Sequence, residues 1–229
     1  MKWIDDFQLF LFDFDGLLVN TEAFHLLAYK NMLKKRGFDL QWDFNRFTVA
    51  AHSSSEGLRE QIYYDIPELF KSEPNWSVVY AEKRAEYLRL ISEKEVELMP
   101  GVKEFLKLLE QKDIKRCVVT HSPKVHIDAI RSKSAILNTI PKWYTREDYT
   151  NAKPSPECYQ KAVFENSVDG DRIIGFEDTV RGIKALQGTR AVPVMVSAFK
   201  PTGIDQLKKG SYLFIPSLEE LNRLDSLHS

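Results

Sequence analysis

Residues 9–21, LFLFDFDGLLVNT, constrain this chain more than any other stretch. Leu9, Phe10, Leu11 and Phe12 form an uninterrupted apolar run, the pattern of a strand buried on both faces, and such strands belong to parallel sheets covered by helices. Asp13 and Asp15 follow two residues apart, so in an extended chain their side chains leave on the same face. Gly16 then permits a sharp turn at the strand end. Two carboxylates at the carboxyl end of a buried strand stand where open α/β sheets bind ligands. Alone, the motif is equally compatible with a solvated turn.

Three further segments follow in an order that fits one sheet. Lys115-Arg116-Cys117-Val118-Val119-Thr120 is a second apolar run that ends in a hydroxyl and is followed by His121 and Ser122. Lys153-Pro154-Ser155-Pro156 places a lysine in a stiff loop whose prolines fix φ, and Ser155 with Pro156 reads as an N-cap and first helical position. Arg172-Ile173-Ile174-Gly175-Phe176-Glu177-Asp178-Thr179 is another buried strand releasing two adjacent carboxylates. Each segment has an ordinary reading by itself: Thr120 as a strand-end cap, Lys153 as a solvated lysine, Glu177 and Asp178 as favourable charges before a helix. Strand ends carrying Asp-x-Asp, Thr and Glu-Asp in succession favour a shared site over three coincidences.

Asp13-Phe14-Asp15-Gly16, Thr120, Lys153-Pro154 and Glu177-Asp178 resemble the four motifs of the haloacid-dehalogenase-like superfamily, most closely its phosphatase and β-phosphoglucomutase branch. The resemblance runs from residue 9 to about 215. It implies an α/β fold, a doubly wound, Rossmann-like parallel sheet core of residues 1–17 and 97–229 with an inserted helical cap at 18–96. Dehalogenases of the superfamily lack the second aspartate, so Asp15 points to phosphoryl chemistry.

The same resemblance implies roles. Asp13 is the nucleophile that attacks phosphorus to give an aspartyl phosphate; as a carboxylate already ionised near neutral pH it needs no activating base. Asp15 resembles the acid that protonates the leaving oxygen and then the base that activates water. Thr120 and Lys153 hold the transferring phosphoryl group, lysine serving as a point charge. A doubly negative phosphate beside clustered carboxylates calls for a hard divalent cation, and Mg²⁺ suits a few carboxylates plus a phosphate oxygen. Its ligands by resemblance are Asp13, the backbone carbonyl of Asp15, and Asp178, with Glu177 acting through water or from behind. His25, His121 and Ser122 are candidate substrate contacts, and the substrate expected is a small phosphorylated metabolite.

The gap of roughly a hundred residues between the first two strands far exceeds what one crossover needs. Within it Phe24, Leu27 and Ala28 keep helical spacing, Lys34-Lys35-Arg36 before Gly37 reads as a basic last turn, and Tyr80, Tyr87, Leu88 and Ile91 mark another helical stripe. Val102, Phe105, Leu106 and Leu109 predict a helix packed on the sheet by one face. Later strands are expected at 191–196 and 212–215.

Net charge is 32 − 33 = −1, so no overall field draws the chain to nucleic acid or an anionic membrane. No apolar run reaches the roughly eighteen residues of a membrane span. MKWIDDFQ has acids where a signal peptide needs apolar residues, and Cys117 and Cys158 lack metal spacing, which together lead us to expect a reduced, cytoplasmic protein; a monomer is expected.

Two positions depart from the family pattern: Asn20 replaces a usual aspartate and His121 a commoner asparagine. His25 lies where the mutases carry a proton-shuttle histidine. The mutases also have a Gly-x-Ser-Arg grip on a distal phosphate; Ala51-His52-Ser53-Ser54 stands there without the glycine or arginine, which favours hydrolysis over isomerisation. A phospho-accepting receiver module uses a similar acid, Thr and Lys set but is about half as long and carries no insertion after its acidic strand.

Overall fold

In the computed structural model, which describes residues 1–53, 55–201 and 203–227, the apolar runs form strands as their hydropathy requires. Strands β1 (Leu9–Phe12), β2 (Lys115–Val119), β3 (Lys142–Tyr144), β4 (Ile173–Glu177), β5 (Val192–Val196) and β6 (Leu213–Ile215) make one parallel sheet in the order β3-β2-β1-β4-β5-β6. Leu9 pairs with Lys115 on one side and Ile173 on the other, so β1 is central and its carboxyl end lies beside those of β2 and β4. The chain winds outward through β2 and β3 and then returns to β4, which puts the topological switch point next to β1.

Alternation along β1 divides the core between the two sheet faces. Leu9 and Leu11 pack with Cys117, Cys158, Tyr159, Ala162, Ala185 and Leu186. Phe10 and Phe12 turn the other way, lying near-parallel to Phe176 at 6.3 and 5.3 Å, while Phe105 meets all three rings edge-on at 5.6–5.9 Å. Such offset and edge-to-face pairs add to the burial of the rings themselves. Both cysteines are buried and free, and burial pushes the thiols up to about 12 and about 11.

The chain divides into two compact units, Met1–Asn20 with Glu97–Ser229, and Thr21–Val96. The second starts three residues later than the expected boundary at 18. Leu18 and Val19 belong with the sheet unit because the Met99 N–H donates to the Leu18 carbonyl at 3.0 Å and Val19 bridges to Leu98.

The helical unit comprises α1 (Glu22–Lys35), α2 (Phe44–Ser53), α3 (Ser55–Asp65), α4 (Pro67–Ser72) and α5 (Trp76–Glu93) around Leu26, Tyr29, Met32, Leu33, Trp42 and Phe47. In the sheet unit α6 (Val102–Gln111), α7 (Lys124–Arg131), α8 (Glu157–Asn166) and α9 (Val180–Gln187) accompany the strands. Helix α8 begins one residue later than Ser155 and Pro156 predict: Pro156 is its N-cap, and the Ser155 hydroxyl accepts from the Glu157 N–H at 3.4 Å. Among the described residues no helix is long and apolar enough to cross a membrane.

The buried face of α5 differs from its apolar stripe. Tyr80 is exposed, whereas Lys83 and Glu86 are buried with Tyr87, Leu90 and Ile91. Glu86 accepts from Arg89 Nη2 at 2.6 Å, Lys35 Nζ at 2.6 Å and Asn31 Nδ2 at 2.9 Å. The Arg89 hydrogen bonds, helped by Lys35 and Asn31 against the opposing effect of burial, hold the Glu86 carboxyl down at about 2. A carboxyl depressed in the folded state stabilises above its unfolded pKa, near 4.3, and loses that stabilisation as pH falls through about 2. Glu86→Gln is therefore expected to lower stability by roughly 2–3 kcal/mol at pH 7, with the difference from the unmodified chain shrinking toward pH 3. Urea unfolding of both proteins across that range checks it; a pH-independent difference contradicts it.

Candidate active site

Asp13 follows β1, and its N–H continues the ladder by donating to the Phe176 carbonyl at 3.0 Å. Gly16 then takes φ +79°, a left-handed value that favours glycine, and the Gly16 N–H donates to Val19 O at 2.9 Å, closing the turn. The turn brings Asp15 to the loop after β2. There Ser122 Oγ donates to Asp15 Oδ2 at 2.6 Å and Thr120 Oγ1 does so at 3.3 Å. The Ser122 backbone N–H donates to Thr120 Oγ1 at 2.9 Å, so the two hydroxyls share one carboxylate and the Thr120 hydroxyl is held by the Ser122 backbone.

Lys153 arrives from the loop before α8 and is 6% exposed. Its ammonium lies 2.6 Å from Asp13 Oδ1, 2.6 Å from Glu177 Oε1 and 2.8 Å from the Val119 carbonyl. Tyr159, in the first turn of α8, donates its hydroxyl to Glu177 Oε1 at 2.6 Å and accepts from Lys153 at 3.2 Å. Burial disfavours the Lys153 charge, but Asp13 and Glu177 outweigh it and push its pKa up. Burial pushes Glu177 up to about 6, with Asp13 adding and Lys153 opposing; burial likewise pushes Asp13 up against the pull of Lys153.

Glu177 is fully buried, and α9 leaves room for it only because residue 182 is glycine: a Cβ there would fall 1.9 Å from the carboxylate. Thr179 caps α9 by accepting from the Gly182 N–H at 3.2 Å, which fixes the backbone that passes over Glu177. One carboxylate oxygen from each of Asp13, Glu177 and Asp178 lies within 4.8 Å of the others. Lys153 is ion-paired with two of these three carboxylates, Asp13 and Glu177. Three hard carboxylate oxygens gathered this closely fit a divalent cation of the Mg²⁺ type.

The sheet unit thus gathers Asp13, Asp15, Thr120, Ser122, Lys153, Glu177 and Asp178 at the carboxyl ends of β1, β2 and β4. His121 Nε2 accepts the Lys153 backbone N–H at 2.8 Å. His25 lies in the helical unit, where its ring stacks on Tyr87 at 4.1 Å and its Nδ1 lies 2.7 Å from Lys83 Nζ. An ammonium only donates, so this Nδ1 accepts. Ser54 and the side chains of His52 and Ser53 lie outside the described residues. Sequence reasoning missed Tyr159 and Gly182, whose parts depend on how α8 and α9 pack against Glu177.

The profile described as haloacid dehalogenase-like hydrolase matches residues 10–196, most of the chain. The chain belongs to this family. Among its relatives, the phosphorylated carbohydrates phosphatase of Thermotoga maritima is 26% identical over 76% of this chain and 78% of its own. The β-phosphoglucomutase of Bacillus subtilis is 23% identical over 83% of this chain and 84% of its own. The solved structure of CbbY from Rhodobacter sphaeroides in complex with xylulose-(1,5)bisphosphate has a TM-score of 0.70 at 20% identity, covering 94% of this chain and 96% of that one. The family and its relatives support a phosphatase or phosphoglucomutase-like activity, and the fold is that of its hydrolases.

Proposed function

We propose that this protein is a Mg²⁺-dependent phosphatase acting on a small phosphomonoester, a phosphorylated sugar being the favoured class, through an aspartyl phosphate on Asp13. The observation that carries this reading is the unequal exposure of the two carboxylates paired with Lys153. Asp13's side chain is 12% exposed and Glu177's is sealed at 0%. A nucleophile must be reached by substrate, so Asp13 fits attack and Glu177 fits support.

In this reading an Asp13 oxygen forms a bond to phosphorus as the bond from phosphorus to the leaving oxygen breaks. Asp15 gives that oxygen its proton and then takes one from the water that attacks phosphorus, releasing inorganic phosphate and restoring Asp13. Lys153 and the Thr120 hydroxyl stabilise charge on the transferring group. Asp13, Asp178 and the Asp15 backbone carbonyl would hold the cation, with Glu177 supporting them through water. When bound, Mg²⁺ offsets the charge that otherwise repels a phosphate and favours the ionised carboxylates. The relative named for phosphorylated carbohydrates supports the sugar-phosphate class.

The competing reading is isomerisation, supported by the mutase relative and by His25. Phosphate release over a panel of sugar phosphates, phosphoglycolate and nucleotides, with glucose 1-phosphate also assayed in the presence of a bisphosphate primer, separates the two. Inorganic phosphate is the expected main product. Rapid primer-dependent formation of glucose 6-phosphate that collapses in His25→Ala would replace this proposal with the mutase.

A further inference from the structure

The loop after β2 holds two parts of the site at once. Through Ser122 and Thr120 it binds the Asp15 carboxylate, and through His121 it binds the Lys153 backbone. The loop is anchored in turn, since Tyr149 donates its hydroxyl to the Thr120 carbonyl at 2.9 Å and the Thr120 N–H donates to the Tyr144 carbonyl at 2.9 Å. The His121 ring lies 5.8 Å from that of Tyr149.

We propose that His121 is a positioning residue: its Nε2 accepts the Lys153 N–H and thereby sets where the Lys153 side chain begins, so that the ammonium reaches both Asp13 and Glu177. This rests on the reading of Lys153 as the residue that offsets phosphoryl charge. A lysine has four side-chain torsions, so its ammonium contacts alone leave the backbone free to shift. Fixing both ends removes that freedom. An imidazole nitrogen has a single lone pair, and that of Nε2 is used by Lys153. His121 is therefore the neutral Nδ1–H tautomer, with Nε2 unable to serve a substrate. Burial, with the positive charges of Lys153, Arg181 and Arg146 around the ring, pushes its pKa down to about 3, so the acceptor persists at any ordinary working pH.

Two readouts test the assignment. In the unmodified protein, long-range ¹⁵N–¹H correlation of the imidazole signals, with the His121 signal assigned by its loss in His121→Gln, is expected to show the neutral Nδ1–H tautomer from pH 5 to 8. An Nε2–H tautomer, or titration of His121 within that range, overturns the proposal whatever the activity. For turnover of p-nitrophenyl phosphate, His121→Leu removes the acceptor at similar size and is expected to lower kcat by about 10- to 100-fold, as misplacement of a charged group by an ångström does. His121→Gln offers an amide oxygen at comparable reach and should recover most of that loss. In a Lys153→Ala background, His121→Leu should cost no further activity, because its effect passes through Lys153. An equal loss in both backgrounds would mean that His121 contacts substrate directly. If the unmodified protein hydrolyses no phosphomonoester, the phosphatase reading fails, while the tautomer still decides whether the clasp exists.

Discussion

Asp13→Asn is expected to lower phosphomonoester turnover by about 10⁴-fold or more while leaving the protein folded. Asparagine keeps the size of the side chain but has no charge with which to attack phosphorus, and removal of a covalent nucleophile has effects of that order. The fold should tolerate the change because Lys153 keeps Glu177, the Val119 carbonyl and Tyr159 as partners. Rates of phosphate release and thermal unfolding of the purified variant check both halves. Turnover near that of the unmodified protein would remove the covalent step.

Withdrawal of divalent cations is the second large effect. A chelator is expected to lower activity by about 10³-fold or more, with Mg²⁺ restoring it, because the clustered carboxylates of Asp13, Glu177 and Asp178 otherwise repel an anionic substrate. Ca²⁺ should inhibit, since its larger, looser coordination shell misplaces the attacking oxygen. Asp178→Asn should raise the Mg²⁺ concentration needed for half-maximal activity. Full activity in metal-free buffer contradicts the assignment.

The sheet was readable because β1 and β4 are nearly continuous apolar runs and β2 ends in Cys117-Val118-Val119, each leading into a polar residue at the switch-point side. Strand β3 gave no such signal: it is three residues, Lys142-Trp143-Tyr144, and exists by pairing with Cys117, Val118 and Val119 rather than by its own pattern. The face of α5 was misjudged at Tyr80 because apolar periodicity cannot register a buried line that includes Lys83 and Glu86, whose partners come from α1 and from α5 itself. Asp13, Asp15, Thr120, Glu177 and Asp178 could be picked out because they stand at strand ends, whereas Lys153 was marked by its proline-stiffened loop. Tyr159 and Gly182 carry no comparable mark. One looks like an ordinary core tyrosine and the other like a helix glycine until Glu177 is seen between them. The partner of His121 was equally hidden, since a contact to a backbone N–H 32 residues away leaves no trace in the local sequence.

The central claim is the phosphorylated aspartate, and acid-quench trapping tests it most directly. Asp15→Ala should slow hydrolysis of the acyl phosphate, so mixing that variant with a ³²P-labelled phosphomonoester and Mg²⁺ is expected to leave label on the protein, stable to acid, released by hydroxylamine and confined to the peptide containing Asp13. Release of inorganic phosphate by the unmodified protein, with no label retained on Asp13 at any quench time in either protein, would contradict it.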